Sequence, residues 1–226
     1  MKILAISDIH SAENDNLIDY IENNDIDLVI ISGDVTDFGP LEFVDTFIKK
    51  IIDCNCDVVA VPGNCDPNGV CNAIKKAGAI CTHNKVISFD DFLIFGYGGS
   101  NPTPFNTPGE VEDTKIHSDI YNLINEYERV SDPKINKFKI LLTHAPPFNT
   151  AADLIDGGDH VGSQAIRQII ENFKIDINIC GHIHEAKSID KVGITTVINP
   201  GMLQNNGAAL ITIDNIKNYN TELVLL

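Results

Sequence analysis

The chain has 226 residues, of which 43% are hydrophobic, and this is enough to bury one sizeable core. We therefore predict a single domain over residues 1–226. The 32 acidic residues outnumber the 16 lysines and arginines, which gives a formal net charge of −16. Such a surface repels nucleic acid and anionic membranes, because proteins bind both mainly through lysine and arginine. With only Arg129 and Arg167, the chain cannot form an arginine-rich phosphate clamp.

The N-terminus is predicted to belong to the fold. Its apolar run, in MKILAISDIHS, stops at Asp8 after too few residues for a signal peptide. No segment approaches the roughly 18 apolar residues of a membrane-spanning helix. Six cysteines are too few for a disulfide-dense secreted domain of this length. The sequence therefore predicts a cytoplasmic protein with reduced thiols.

Short apolar runs in the chain predict buried β-strands. They are nearly continuous in apolarity and rich in β-branched residues, which is typical of strands covered on both faces. The runs are residues 2–7, 28–32, 58–62, 139–143 and 177–180. Amphipathic spacing predicts helices at about 14–24, 40–53 and 67–77, and a further helix with Ser163 as its N-cap.

Other apolar segments have an antiparallel pattern. KVISF and FLIFGYG flank Asp90 and Asp91 and predict a hairpin, while TTVINPG, AALITID and TELVLL predict successive C-terminal strands. This mixture predicts a layered α/β fold, with either one mixed sheet or two packed sheets between helices. Two long connections, residues 98–113 and 145–162, have the length of lids or binding loops.

Side chains that bind metals follow each of the five strands with a buried pattern. In open α/β sheets, binding sites form beyond the carboxyl ends of the strands. Glycines at 33, 63 and 181 would let the backbone turn sharply just before the ligand. The candidate ligands are Asp8, His10, Asp34, Asn64, His144, His182 and His184.

This set suits a pair of metal ions better than one ion. Imidazole favours transition metals, and a carboxylate such as Asp34 can be shared by two ions about 3.5–4 Å apart. Two divalent ions, two aspartates and one hydroxide leave a charge near +1, which would attract a phosphate ester. A structural zinc at Cys180, His182 and His184 is a narrower alternative. Cys180 closes an apolar run, however, and is better explained as a core residue.

The ordered motifs DIH (8–10), GDVTD (33–37), GNCD (63–66), TH (143–144) and GHIH (181–184) resemble those of the calcineurin-like metallophosphoesterase superfamily. HAPPFNT and VINPG are similar to segments of its small prokaryotic members. The resemblance implies a layered sandwich of two mostly mixed β-sheets flanked by helices, with a dinuclear metal centre. It also implies the ligand sets: Asp8, His10 and His184 for one ion, Asn64, His144 and His182 for the other, and Asp34 as the bridge.

The resemblance implies that a metal-bound hydroxide attacks the phosphorus of an ester. One motif departs from the family pattern, because Cys65 stands where a histidine usually binds phosphate or protonates the leaving oxygen. A thiol is a weaker hydrogen-bond donor than an imidazole. Three alternatives follow. Cys65 performs part of this task, His160 in the loop 145–162 replaces the imidazole, or the substrate has a leaving group that needs no proton.

We therefore predict a metal-dependent phosphoesterase that acts on phosphodiesters in preference to monoesters. The candidate catalytic residues are Asp34, Asn64, Cys65 and His160. Manganese is the expected metal, and iron, nickel and zinc also suit nitrogen and oxygen ligands. The alternatives are a phosphomonoesterase, including a nucleotide or protein phosphatase, and a non-catalytic scaffold on the same fold. The expected partner is a phosphate-ester substrate rather than nucleic acid or a membrane, and the oligomeric state stays open.

Overall fold

Two six-stranded β-sheets stack face to face, and helices cover the outer face of each sheet. The computed structural model describes residues 1–89, 91–132, 137–215 and 218–226. Asp90, which the sequence places in a hairpin turn, lies outside these described residues. The predicted sandwich of two mixed sheets flanked by helices is confirmed.

The first sheet carries the N-terminal strands and ends with the C-terminal hairpin. Its strands are β1 (Lys2–Ile6), β2 (Leu28–Ile31), β3 (Asp57–Ala60), β4 (Ile80–Cys81), β11 (Gly207–Asn215) and β12 (Asn218–Leu225), in the spatial order β12-β11-β1-β2-β3-β4. The strands β1 to β4 are parallel, and β11 pairs antiparallel to β1. The carboxyl ends of β1, β2 and β3 therefore lie along one edge.

The second sheet has the same mixed character. Its strands are β5 (Lys85–Ser88), β6 (Phe92–Tyr97), β7 (Phe138–Thr143), β8 (Ile177–Ile179), β9 (Ser188–Val192) and β10 (Thr195–Asn199), in the spatial order β5-β6-β7-β8-β10-β9. The strands β6, β7, β8 and β10 run parallel. The amide of Gly181, after β8, donates to the carbonyl of His144, after β7, at 2.9 Å, so these two strand ends meet.

Three apolar layers hold the sandwich together. The sheets bury Ile3, Leu28 and Val59 of the first against Ile94 and Ile140 of the second. On the outer face of the first sheet lie α1 (Asp15–Asn24), α2 (Glu42–Asp53) and α3 (Val70–Lys76). On that of the second lie α4 (Asp113–Val130) and α5 (Gln164–Asn172). No helix in the described part of the chain is long and apolar enough to cross a bilayer.

Most predicted elements are present, and the differences are local. The predicted N-cap is confirmed, since the Ser163 hydroxyl accepts from the amide of Ile166 at 3.1 Å. The sequence analysis missed α4, whose other residues are mostly polar or charged and whose buried stripe is only Ile116, Ile120 and Ile124. It also missed the two-residue β4 and the half-buried edge strand β9, because neither has a strong apolar run.

The expectation of reduced thiols is wrong for one pair of cysteines. Cys71 in α3 and Cys81 in β4 are joined as a disulfide, with Cα atoms 5.4 Å apart, a usual separation for such a bond. Sequence spacing did not reveal the pair, because the chain must turn back after α3 before the two residues meet. Cys180 is a fully buried free thiol, as expected of a core residue. The cytoplasmic location stays a prediction.

Candidate metal centre

The candidate ligands gather where the carboxyl edges of the two sheets meet. Asp8 and His10 follow β1, Asp34 follows β2 and Asn64 follows β3, all in the first sheet. His144 follows β7, and His182 and His184 follow β8 in the second sheet. Five separate strand ends therefore supply one site from two layers of the sandwich.

One group of donors surrounds Asp8. The Nε2 atom of His184 lies 3.4 Å from Oδ1 of Asp8, and that of His10 lies 3.9 Å from the same oxygen. The two Nε2 atoms are 3.1 Å apart. Asp8 is fully buried, and its carboxylate accepts from the backbone amide of His182 at 3.0 and 3.2 Å. These side chains could hold one cation.

A second group surrounds Asp34. Its Oδ2 lies 3.3 Å from Nε2 of His144 and 3.7 Å from Nε2 of His10, so one oxygen faces both groups. Its Oδ1 accepts from the Cys65 amide at 2.8 Å, which fixes the plane of the carboxylate. The ring of His182 packs edge-on against His144, with centroids 5.1 Å apart. The position of Asp34 between the groups is the one that a bridging ligand requires.

The neighbours of His144 determine which ring nitrogen carries a proton. Its Nδ1 is 2.7 Å from the carbonyl oxygen of Ser32, which only accepts, so Nδ1 must be the N–H. In the neutral ring, Nε2 then has a free lone pair. That lone pair points at two further acceptors: Asn64 Oδ1 at 2.9 Å and Asp34 Oδ2 at 3.3 Å.

The orientation of the Asn64 amide follows from a chain of hydrogen bonds in the loop 98–113. The Thr107 hydroxyl donates to the Glu110 carboxylate at 2.9 Å, so its oxygen is left to accept. The Nδ2 group of Asn64 donates to that oxygen at 2.9 Å, which turns Oδ1 toward His144. The Gly109 amide also donates to the Asn64 carbonyl at 2.9 Å. The sequence analysis missed Thr107 and Glu110, because they lie more than 40 residues from Asn64.

Neutral His144 would place a lone pair against the oxygens of Asn64 and Asp34, and such close acceptors repel one another unless a positive charge lies between them. A metal ion could supply that charge. In the protein without metal, a proton takes that place. Burial alone would favour neutral His144, but Asp34 and Asp8 outweigh it and raise the pKa of His144 to about 9. Burial and the neighbouring His144 lower the pKa of His182 to about 4, so His182 is neutral. The nitrogen and carboxylate donor set suits divalent transition metals.

The backbone of the site adopts conformations that most residues avoid. Asp8, His10, Asp34 and His182 all have positive φ, between 48° and 71°. Left-handed backbone costs a non-glycine residue energy, and such residues cluster at functional sites. Gly181 is required for space, because a Cβ there would lie 1.8 Å from Oγ of Ser7 and 2.6 Å from Oδ2 of Asp8.

A buried carboxylate that the sequence analysis did not assign ties two strand ends together. Asp66 accepts from the Gly63 amide at 2.8 Å after β3, and from the amides of Val35 and Thr36 at 3.2 and 2.8 Å after β2. The Thr36 hydroxyl donates to it as well, at 2.9 Å. Asp66 is the last residue of the GNCD motif, so the motif carried this signal. Its contacts hold Asp34 and Asn64 in fixed relative positions.

Cys65 and His160, the two residues that could replace the usual motif histidine, have different surroundings in the structure. The thiol of Cys65 lies close to His10 and Asp34. Burial and Asp34 raise the pKa of that thiol well above its usual value, which keeps it protonated. His160 contacts Asp153 instead of any candidate ligand in the described part of the chain, with Nδ1 2.7 Å from Oδ1. Cys65 is therefore at the site, and His160 is bound to Asp153 within its own loop.

Acidic and imidazole side chains therefore lie together at the shared edge of a two-layered α/β sandwich, where they could hold metal ions. The sequence profile described as calcineurin-like phosphoesterase matches residues 1–186. The chain belongs to this family.

Three known proteins show how far the similarity extends. The uncharacterized protein MJ1162 of Methanocaldococcus jannaschii is 36% identical over 204 residues, which cover 88% of each chain. One crystal structure superposes with a TM-score of 0.82 at 19% identity and covers 99% of this chain and 98% of the other. The crystal structure of TT1561 from Thermus thermophilus gives 0.72 at 15% identity, with 98% and 97% covered. The two structures are similar in fold.

Proposed function

We propose that the protein is a phosphodiesterase that uses two divalent metal ions, with manganese as the expected metal. The observation that carries the proposal is the convergence of two acceptors, Asn64 Oδ1 at 2.9 Å and Asp34 Oδ2 at 3.3 Å, on the Nε2 atom of His144. Two buried aspartates and four histidines around that point form a donor set that suits transition metals. A non-catalytic scaffold would have no need for these desolvated, strained side chains.

The proposed ligand sets follow the two groups in space. Asp8, His10 and His184 would hold one ion, Asn64, His144 and His182 would hold the other, and Asp34 would be shared between them. The ions, when bound, supply positive charge for the phosphate oxygens and an activated water for attack on phosphorus. The protein's part is to fix the donors. Asp8 is held by the His182 amide and Asp34 by the Cys65 amide, so neither carboxylate must reorganise when the charge changes.

The leaving group determines which phosphodiesters are hydrolysed fastest in this proposal. Cys65 presents a protonated but weakly donating thiol at the site, and the His160 imidazole is engaged by Asp153. Without a strong acid, expulsion of an alkoxide is slow, whereas an aryl oxide leaves without protonation. We therefore expect bis(4-nitrophenyl) phosphate to be hydrolysed faster than dialkyl phosphodiesters. Since 4-nitrophenyl phosphate has the same leaving group, its comparison with the aryl diester tests the proposed preference for diesters independently.

The test measures metal content and hydrolysis on the same preparation. The protein is purified, loaded with Mn²⁺ and assayed with the aryl diester and the aryl monoester. Asp34→Asn is the matched variant, because it keeps the shape of the bridging side chain and removes its charge. We expect about two ions per chain and loss of at least a hundredfold in kcat/KM for the variant. If neither ester reacts with Mn²⁺, Ni²⁺, Co²⁺ or Zn²⁺, the proposed function is wrong. Faster hydrolysis of the monoester would favour the phosphomonoesterase.

A further inference from the structure

A groove of about 660 Å³ opens beside the candidate metal centre. Its wall includes the side chains of His182 and His184, so the groove and the centre are continuous. The His184 side chain is 40% exposed, while the Asp8 side chain behind it is 1% exposed. A phosphate held at the centre would therefore direct one of its ester groups along this opening.

The rest of the groove wall is mostly apolar. It comes from both long loops that the sequence analysis singled out, together with the residue between the two histidines. The apolar lining residues are Pro102, Pro104, Phe105, Ile155, Val161 and Ile183. A volume of this size with apolar walls and a few polar groups at one end is typical of a small-molecule site.

The side of the groove that carries Phe105 is anchored rather than loose. The Glu110 carboxylate accepts from the Thr107 amide at 2.8 Å and from the hydroxyl of Thr103 at 2.5 Å. The Phe105 amide in turn donates to the Thr103 hydroxyl oxygen at 3.1 Å. The Phe105 residue is nevertheless 79% exposed. These bonds fix the backbone of the loop at Phe105, and the exposed ring leaves its surface for a ligand.

The charges of the groove disfavour an anionic ester group. None of the described residues that line it is a lysine or an arginine, and Glu185 adds a negative charge. Arg167 is engaged elsewhere, since its guanidinium donates to Glu171 at 2.6 Å and to the backbone of Phe148 and Asn149. A second phosphate or a carboxylate that lies along the groove would therefore meet the charge of Glu185, with no lysine or arginine among the described lining residues to offset it.

We propose that this groove binds an uncharged apolar group, such as an aromatic ring, of the phosphate ester whose phosphorus reacts at the metal centre. The inference rests on the proposed function and adds the class of substrate. Phe105 packs against the apolar group from one side and Ile183 from the base, while His182 and His184 approach its phosphate. Substrates with a second anionic group, such as polynucleotides, are disfavoured by the same walls.

The test compares phosphonates that differ only in their organic group, with Mn²⁺-loaded protein and titration calorimetry. We expect 4-methylphenylphosphonate to bind about tenfold more tightly than methylphosphonate, because the aryl group adds buried apolar area. We expect 4-carboxyphenylphosphonate, which has the same shape but a second charge, to lose that advantage. Phe105→Ala should reduce the aryl preference to about threefold and raise the KM for bis(4-nitrophenyl) phosphate.

Ile194→Ala is the matched control, because Ile194 is also an exposed apolar residue, at 68%, just before β10. Since β10 runs parallel to β8, this residue lies at the opposite edge of the sheet from His182. Equal affinity for the aryl and methyl phosphonates, no binding of either, or an unchanged aryl preference in Phe105→Ala would each overturn the inference. If bis(4-nitrophenyl) phosphate is still hydrolysed in any of these cases, the proposed function stands although the inference about the groove fails. If neither aryl ester is hydrolysed with Mn²⁺, Ni²⁺, Co²⁺ or Zn²⁺, the proposed function itself is refuted.

Discussion

The hydroxyl of Thr107 lies 2.9 Å from the amide nitrogen of Asn64 and thereby determines which end of that amide faces His144. The contact spans a loop and a strand end that are 43 residues apart. Partners that orient a metal ligand from behind contribute substantially to affinity. The loop 98–113 therefore has two tasks, since it lines the groove and also orients a candidate ligand.

We predict that Thr107→Val weakens metal binding. Valine keeps the volume of the side chain but cannot accept from Asn64, so the amide can turn and present its N–H groups to the ion. We expect a loss of about tenfold in affinity for one of two ions, measured by competition with a chromophoric chelator. Thr107→Ser, which keeps the hydroxyl, is the control and should bind as the parent protein does. Equal affinity in all three proteins would contradict the role assigned to Thr107.

We predict that metal affinity rises with pH up to about 9. In the metal-free protein the pKa of His144 is raised to about 9, so His144 is protonated below that pH. A metal ion must displace this proton, and each pH unit below the raised pKa therefore costs about tenfold in apparent affinity. Calorimetry in buffers of different ionisation enthalpy should show net proton release on binding at pH 7. Affinity that is constant from pH 6.5 to 8.5 would refute the protonation of His144.

We predict that Gly181→Ala disrupts both the site and the fold around it. The added methyl group would lie 1.8 Å from Oγ of Ser7, inside the buried junction of the two sheets. We expect a loss of about 2–3 kcal/mol in the free energy of unfolding, together with loss of metal binding. Gly157→Ala is the control, because the nearest atom to its new methyl group is 3.9 Å away. Urea denaturation of the metal-free proteins separates this packing effect from the loss of bound metal.

We predict that Cys65→His increases the hydrolysis of esters with poor leaving groups. An imidazole at this position can protonate the departing oxygen, which the Cys65 thiol does poorly. A gain of about a hundredfold in kcat for dialkyl phosphodiesters is expected from such acid catalysis, with little change for bis(4-nitrophenyl) phosphate. Cys65→Ser serves as the control and should show no such gain. A uniform change for both classes of ester would indicate that position 65 affects substrate binding instead.

The framework of the site was predictable from the sequence, because strand ends in such a fold meet at a shared edge. Once the apolar runs were identified as strands, the residues after them, such as Asp34 and His144, were expected to converge. The structure brings the candidate ligands together, and their metal binding stays a prediction. The sharing of one oxygen by His10 and His144 could not be deduced, since it depends on side-chain rotamers.

The parts that escaped prediction depend on loops that fold back over the strand ends. The orientation of Asn64 is set by Thr107 and Glu110, whose distance along the chain gives no hint of contact. His160 was a candidate because its loop is long, but its engagement by Asp153 arises from a turn that sequence spacing does not specify. The disulfide between Cys71 and Cys81 escaped prediction for a different reason, because it depends on the turn between α3 and β4.

The candidate ligands are divided between the two sheets, and this has a mechanical consequence. Asp8, Asp34 and Asn64 belong to one layer, while His144 and His184 belong to the other. Two bound metal ions would cross-link the two sheets, since sliding of one layer over the other would pull the donors apart. Metal binding and the alignment of the two sheets are then linked equilibria. A change that stabilises the aligned sheets raises metal affinity, and metal binding stabilises the aligned sheets.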